Sequence, residues 1–209
     1  MVKKKDVDLL IFDFDGTIVD SKSLYYEAMK KSLDSSRNSE KDIKKFIDMG
    51  LTIDKTLREM GFSKIGSWIM KIKIMRTIFK ELNKISKCKN VSSLKKIDKR
   101  KIVISNSYKM FVNKVLKKLN LEKYFSEVHG AGEFEDKTEF IKEYLKKEGI
   151  DPKKVAYIGD RKVDIKLAKD VDCIGIIIMG KCAWDSKKEI LEMGPDFIIS
   201  SLEDLKDVF

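Results

Sequence analysis

The residues best suited to chemistry fall at four places in the chain: Asp13 and Asp15 followed by Gly16 and Thr17, Ser105 with Asn106, Lys137, and Asp160 with Asp164. The first place says most. Asp13 and Asp15 follow the apolar run Leu9-Leu10-Ile11-Phe12 and are separated by one residue. Alternation along an extended chain therefore aims both carboxylates the same way before a glycine lets the backbone turn. Stability alone explains two such acids poorly, whereas a carboxylate can serve as nucleophile, proton carrier or ligand of a hard cation. Each place by itself also has an ordinary reading. Asp-Gly makes a turn, a serine after a strand caps a helix, and one lysine among 44 Lys and Arg is usually solvated. Taken together and in this order, they point to one site.

Such a site needs elements that bring the four places to one edge. The run from Leu9 to Phe12 suits a strand buried on both faces. Ile102 to Ser105, Glu127 to Gly130, Lys154 to Gly159, Ile174 to Met179 and Phe197 to Ile199 read as further strands. The intervening patterns predict helices over Asn106 to Leu119, over Asp136 to Lys147 with Gly149 closing it, and from Val163 to Ala168. Alternating strands and helices imply an α/β fold, a doubly wound and mainly parallel sheet whose ligand sits beyond the carboxyl ends of the strands. Between Ser21 and about Asn90 no strand is convincing. Ser21 could cap a helix carrying Leu24, Tyr25, Ala28, Met29 and Leu33, and Ser39 could begin a second with Ile43, Phe46 and Ile47. A third runs through Lys55, Leu57 and Met60, and a long amphipathic segment extends from Ser63 to Ile85, with Trp68 and its methionines expected in the core. The predicted organisation is a core of residues 1–18 and 91–209 with a helical cap inserted at 19–90.

The combination resembles the haloacid dehalogenase superfamily of phosphohydrolases, whose motifs run DxDGT, Ser or Thr after a strand, Lys, and GDxxxD. Here they stand as Asp13-Phe14-Asp15-Gly16-Thr17, Ser105, Lys137 and Gly159-Asp160-Arg161-Lys162-Val163-Asp164, with Lys142 as the other choice for the lysine. The inserted helices look like the cap of phosphoglycolate phosphatase-like and β-phosphoglucomutase-like members. Two family habits are absent: no proline follows Lys137, and Arg161 stands where a small hydroxyl residue is common. The resemblance implies Mg²⁺ held by the Asp13 carboxylate, the Asp15 backbone carbonyl and Asp160, with Asp164 supporting. Asp13 would be the nucleophile, Asp15 the general acid and base, and Lys137 the counter-charge. Ser105, Asn106 and Thr17 would hold phosphate oxygens. Thr52 and Lys55, at the break formed by Met49-Gly50-Leu51-Thr52, would touch the leaving group, although a helix cap and a solvated lysine explain them as simply. These expectations suit the charge spread over the oxygens of a transferring phosphoryl group. They imply a phosphatase of a small phosphorylated metabolite, phosphoglycolate or a sugar phosphate. A phosphomutase is the nearest alternative, and a receiver-like phosphoacceptor module a more distant one.

Composition limits the other classes. At 209 residues and 43% hydrophobic the chain can bury a substantial core, and two prolines and eleven glycines leave little room for long linkers. The net charge of +10 is spread along lysine-rich helices mixed with glutamates, so no nucleic-acid partner is expected, although the surface could draw in anionic substrates. The apolar run after the basic N-terminus is too short for a signal peptide or a membrane span, which leads to the expectation of a cytoplasmic protein, monomeric or homodimeric. Cys88, Cys173 and Cys182 form no CxxC pair and are odd in number, which argues against a disulfide framework and for a reducing compartment. His129, the only histidine, is assigned no role.

Overall fold

The four apolar residues at the head of the first motif form β1 (Leu9–Phe12), and all four are buried, as a strand covered by helices on both faces requires. The computed structural model describes residues 5–33 and 40–209. In chain order there follow β2 (Val19–Asp20), α1 (Lys22–Ser32), α2 (Glu40–Asp48), α3 (Ile53–Glu59), α4 (Lys64–Lys80) and β3 (Ser86–Lys87). Next come β4 (Arg100–Tyr108), α5 (Lys109–Lys118), β5 (Glu127–Ala131), α6 (Lys137–Glu148), β6 (Val155–Gly159) and α7 (Lys162–Val171). The chain ends with β7 (Ile174–Ile178), α8 (Lys187–Met193), β8 (Phe197–Ile199) and α9 (Leu205–Val208). Ser39 and the side chain of Phe46, both assigned to the second helix from sequence, lie outside the described residues. Two compact units result, Met1–Asp20 with Lys87–Phe209, and Ser21–Ser86. The chain changes unit at 20/21 and 86/87, where the sequence reading divides it at 18/19 and 90/91.

The first unit is the α/β fold expected from the alternating pattern. Its six strands lie in the order β5-β4-β1-β6-β7-β8, and every pairing is parallel. On one face Leu9, Ile11, Ile102, Ile104, Val155 and Tyr157 pack with Ile141 and Leu145 of α6 and with Leu167 and Val171 of α7. On alternate positions of β1 and just beyond it, the Phe12 ring meets Phe125 at 5.8 Å and Phe14 meets Phe111 of α5 at 6.1 Å.

β4 corrects one boundary. The sequence places Asn106 at the start of a helix, but the strand continues to Tyr108 after an irregularity in its register with β5 between Ser105 and Tyr108. Ser105 Oγ accepts the Ser107 N–H at 3.0 Å, so a local side-chain turn bends the strand rather than starting the helix. The cysteine reading is also corrected. Cys88 and Cys182, 94 residues apart in sequence, are joined by a disulfide with their Cα atoms 6.0 Å apart. Cys173 alone keeps its thiol. Sequence spacing cannot show such a pair, because Cys88 is held at the turn after β1 by the pairing of β3 with β2 and by its N–H, which donates to Ile18 O at 3.0 Å.

The second unit consists of α1 to α4, with α4 packed against α1 and α3. Thr52 caps α3 by accepting the Lys55 N–H at 3.3 Å, and Ser63 caps α4 by accepting the Gly66 N–H at 3.1 Å. Ser21 stands at the N-cap of α1 without making a side-chain cap bond. α4 stops at Lys80 rather than Ile85. Trp68, expected in the core, is 58% exposed, and Ile65 and Ile69 beside it are 73% and 56% exposed. Ile74 and Ile78 carry the buried face of that helix instead. Among the described residues no helix is long and apolar enough to cross a membrane.

Candidate active site

Because β4, β1 and β6 are neighbours, the residues that leave their carboxyl ends emerge side by side. Asp13 is held in line with β1 by its N–H, which donates to Ile158 O of β6 at 2.8 Å. The chain then turns at Gly16, whose φ of +79° is left-handed and where a Cβ would stand 2.3 Å from Asp160 Oδ2. A Cβ on Gly159 would likewise fall 2.3 Å from the Asp164 carboxylate. Both motif glycines therefore make room for carboxylates.

Asp13, Asp160 and Asp164 are all buried and each offers a carboxylate oxygen within 4.8 Å of the others. Lys137 enters this group from the first turn of α6, where Asp136 caps the helix by accepting the N–H groups of Thr138 and Glu139. Its ammonium donates to Asp13 Oδ1 at 3.0 Å and to the Tyr157 hydroxyl at 2.7 Å, and lies 3.7 Å from Asp164 Oδ1. Lys142 pairs instead with Glu139 on the exposed side of the same helix. The Tyr157 hydroxyl in turn donates to Asp164 Oδ1 at 3.2 Å. The other Asp164 oxygen accepts the N–H groups of Asp160 and Arg161, at 3.1 and 3.0 Å.

Asp160 has no exposed surface. Its Oδ1 accepts the Thr17 hydroxyl at 3.2 Å, and its Oδ2 accepts the Trp184 N–H at 2.6 Å. Thr17, expected to touch substrate, is fully buried and spends its hydroxyl on Asp160. Arg161, the residue that departs from the family pattern, lies with its guanidinium 5.1 Å from the Trp184 ring, and its Nε is 3.4 Å from Asp185 Oδ1. On the β4 side, Ser105 is buried and Asn106 follows it along the strand. The next serine, Ser107, donates its hydroxyl to Asp15 Oδ2 at 2.5 Å.

Burial pushes the carboxyl pKa values of Asp13, Asp160 and Asp164 upward, and the three repel one another, while Lys137 pulls Asp13 and Asp164 back in part. For Lys137 burial acts downward, but Asp13 and Asp164 outweigh it and its pKa rises. Three clustered carboxylates thus outnumber the two cations beside them, Lys137 and Arg161, and their donor atoms are all oxygens. The set fits a hard divalent cation, with Asp13, Asp160 and Asp164 as its protein ligands.

Sequence reasoning passed over Ser107, Tyr157 and the backbone N–H of Trp184. Tyr157, the polar-tipped member of the Val155 to Gly159 strand, offered a signal; a backbone donor arriving from a distant loop offered none. Thr52 and Lys55 belong to the helical unit, where Thr52 serves as the helix cap and Lys55 is exposed. His129 lies on β5 between Glu127 and Glu133, at 3.2 and 3.6 Å.

Comparison with known proteins bears on the same segments. The family model described as haloacid dehalogenase-like hydrolase matches residues 10–177. A phosphoglycolate phosphatase from Vibrio parahaemolyticus is 23% identical over 224 aligned positions, which take in 98% of this chain and 97% of that protein. A crystal structure from Clostridium difficile, provisionally described as a phosphatase, is 25% identical with a TM-score of 0.75 and covers 98% of this chain and 99% of its own. Another from Thermotoga maritima, provisionally described as a β-phosphoglucomutase, shares the fold at 18% identity and a TM-score of 0.69, covering 97% and 98% of the two chains. Since the matched region runs from β1 into β7, it holds all four motifs together with the strands that aim them, and the chain belongs to the haloacid dehalogenase-like hydrolase family.

Proposed function

We propose that this enzyme is a Mg²⁺-dependent phosphatase of small phosphate monoesters, of the phosphoglycolate or sugar phosphate class. The observation that carries the reading is the placing of Asp13, a buried carboxylate held by Lys137 at 3.0 Å within a cluster of carboxylates fit for a divalent cation. An Asp13 oxygen attacks phosphorus, the ester P–O bond breaks, and the leaving alkoxide takes its proton from Asp15. Water then gives a proton back to Asp15 as it attacks the aspartyl phosphate, and inorganic phosphate leaves with Asp13 restored. Asp13, Asp160 and the Asp15 carbonyl, with Asp164 in support, would hold Mg²⁺, which when bound would supply positive charge to the transferring oxygens. Lys137 offsets the charge that Asp13 shares with the phosphoryl group, and Ser105 and Asn106 donate to its oxygens. The name of the Vibrio relative supports the substrate class. The helical unit is read as a cap on the family resemblance, with Thr52 and Lys55 kept as candidates for contact with the leaving group.

The test is phosphate release from a panel of small esters with Mg²⁺, with EDTA, and with Asp13→Asn. Release that needs Mg²⁺ and vanishes in the variant is expected. Release that persists in Asp13→Asn would remove Asp13 as nucleophile. No release from any ester, with the enzyme still becoming phosphorylated, would point to a mutase.

A further inference from the structure

We propose that the Cys88–Cys182 disulfide is a positioning device for Asp160, so that the metal affinity of the site follows the oxidation state of these two cysteines. This rests on reading Asp13, Asp160 and Asp164 as metal ligands, and not on the identity of the substrate.

The two oxygens of Asp160 are held from two different loops. Thr17, in the turn after β1, holds Oδ1, and the Trp184 N–H, in the loop after β7, holds Oδ2. The disulfide joins those same two loops. Cys88 is bound to the first, since its N–H donates to Ile18 O at 3.0 Å and its Sγ lies 3.7 Å from Gly16 O. Cys182 stands two residues before Trp184 in the second. A closed ring of contacts therefore runs from the Gly16–Ile18 turn through Thr17 to Asp160, on to Trp184 and Cys182, and back through Cys88. Neither loop has regular secondary structure at these positions, so their separation is set by tertiary ties. The S–S bond is the covalent tie in the ring. Without it the Trp184 loop keeps its hold on the helix start through Asp185, which accepts the Lys162 N–H at 2.8 Å, but is tied to the Gly16 turn only through the hydrogen bonds of Asp160 itself. Partners that orient a ligating carboxylate in this way commonly govern metal affinity.

The redox step balances with a dithiol such as dithiothreitol. The S–S bond takes up two electrons and two protons to give two thiols, and the dithiol closes to its cyclic disulfide. Cys173 stays out of the exchange, because burial raises its thiol pKa to about 12 and exchange needs the thiolate.

The experiment counts thiols in denaturant and then titrates Mg²⁺ against the thermal midpoint for the oxidised protein, the dithiothreitol-reduced protein and the Cys88→Ser, Cys182→Ser double variant. One thiol per chain is expected before reduction and three after it. Reduction should raise the half-saturating Mg²⁺ concentration roughly tenfold, and the double variant should match the reduced protein and ignore dithiothreitol. A disulfide that acted only as a staple would lower the thermal midpoint at every Mg²⁺ concentration without moving half-saturation, and that result would overturn the proposal. Three thiols in protein treated with a mild oxidant would overturn it as well. If the double variant fails to fold, the two states of the unaltered chain still decide. None of these readouts needs turnover, so a failed phosphatase assay leaves them legible, whereas no Mg²⁺ response in either state would remove the metal reading and the proposal with it.

Discussion

Asp15 accepts the Ser107 hydroxyl on its Oδ2. In the proposed chemistry it must both give and take a proton, so Asp15→Asn should slow turnover by roughly 10²- to 10⁴-fold in steady-state assays. Unchanged turnover would end its assignment as general acid and base. The buried triad makes a separate prediction about pH. Burial raises the pKa values of Asp13, Asp160 and Asp164 above that of an ordinary carboxylate, and neighbouring carboxylates add to it, Asp15 for Asp13 and the other members of the triad for Asp160. Between the ordinary and the raised values the folded, metal-free chain holds more protons than the unfolded chain. Its stability must therefore fall as pH rises through that window and grow as pH is lowered into it. Calorimetry in EDTA should show this trend, and excess Mg²⁺ should remove it, because the cation takes the place of the protons; equal slopes in both media would refute the coupling. The gathering of Asp13, Asp160 and Asp164 was legible in the sequence because each motif is local and carries its own glycine. The roles of Ser107 and Trp184 were not, since one depends on how β4 bends past Ser105 and the other on a backbone donor that any residue could supply.

Elements whose end signals are local were the easiest to read. Asp136 and Gly149 mark the two ends of α6 in sequence and hold them in the structure. α8 carried an equally plain signal in Ser186 and Glu189, a reciprocal capping box that the sequence reading passed over. Long-range effects decided the rest. β4 outruns its apolar core because pairing with β5 resumes at Tyr108, and α4 turns Trp68 outward although its apolar residues are dense enough to suggest burial all round. Thr52 caps α3, and its contact with a leaving group is a proposal that a variant can test. Loss of a cap alone should cost Thr52→Ala about 1 kcal/mol of stability in urea unfolding while sparing catalysis. A fall in kcat/KM well beyond that, measured on the ester with the fastest release, is the outcome expected if Thr52 also touches substrate. Equal kcat/KM would leave it a cap.

For the whole molecule, the alternation of strands and helices was enough to foresee a parallel sheet, because crossover handedness leaves few other arrangements. Pairing that closes over long stretches of chain was not foreseeable in the same way. The Cys88–Cys182 bond and the short β2 and β3 strands both join points that sequence spacing keeps far apart. The sheet order has a further consequence for how the chain is made. β1 is translated first, yet it sits between β4 and β6, with Leu9 in register with Arg100 on one side and Val155 on the other. The helical unit leaves the ribosome before either partner exists and already contains the helices that pack with one another within it. Throughout that time the nascent chain carries a fully apolar strand with both edges bare. Products that end before β6 should thus be the species that chaperones retain or that aggregate, and the full-length chain becomes safe only when its first strand is enclosed by one of its later ones.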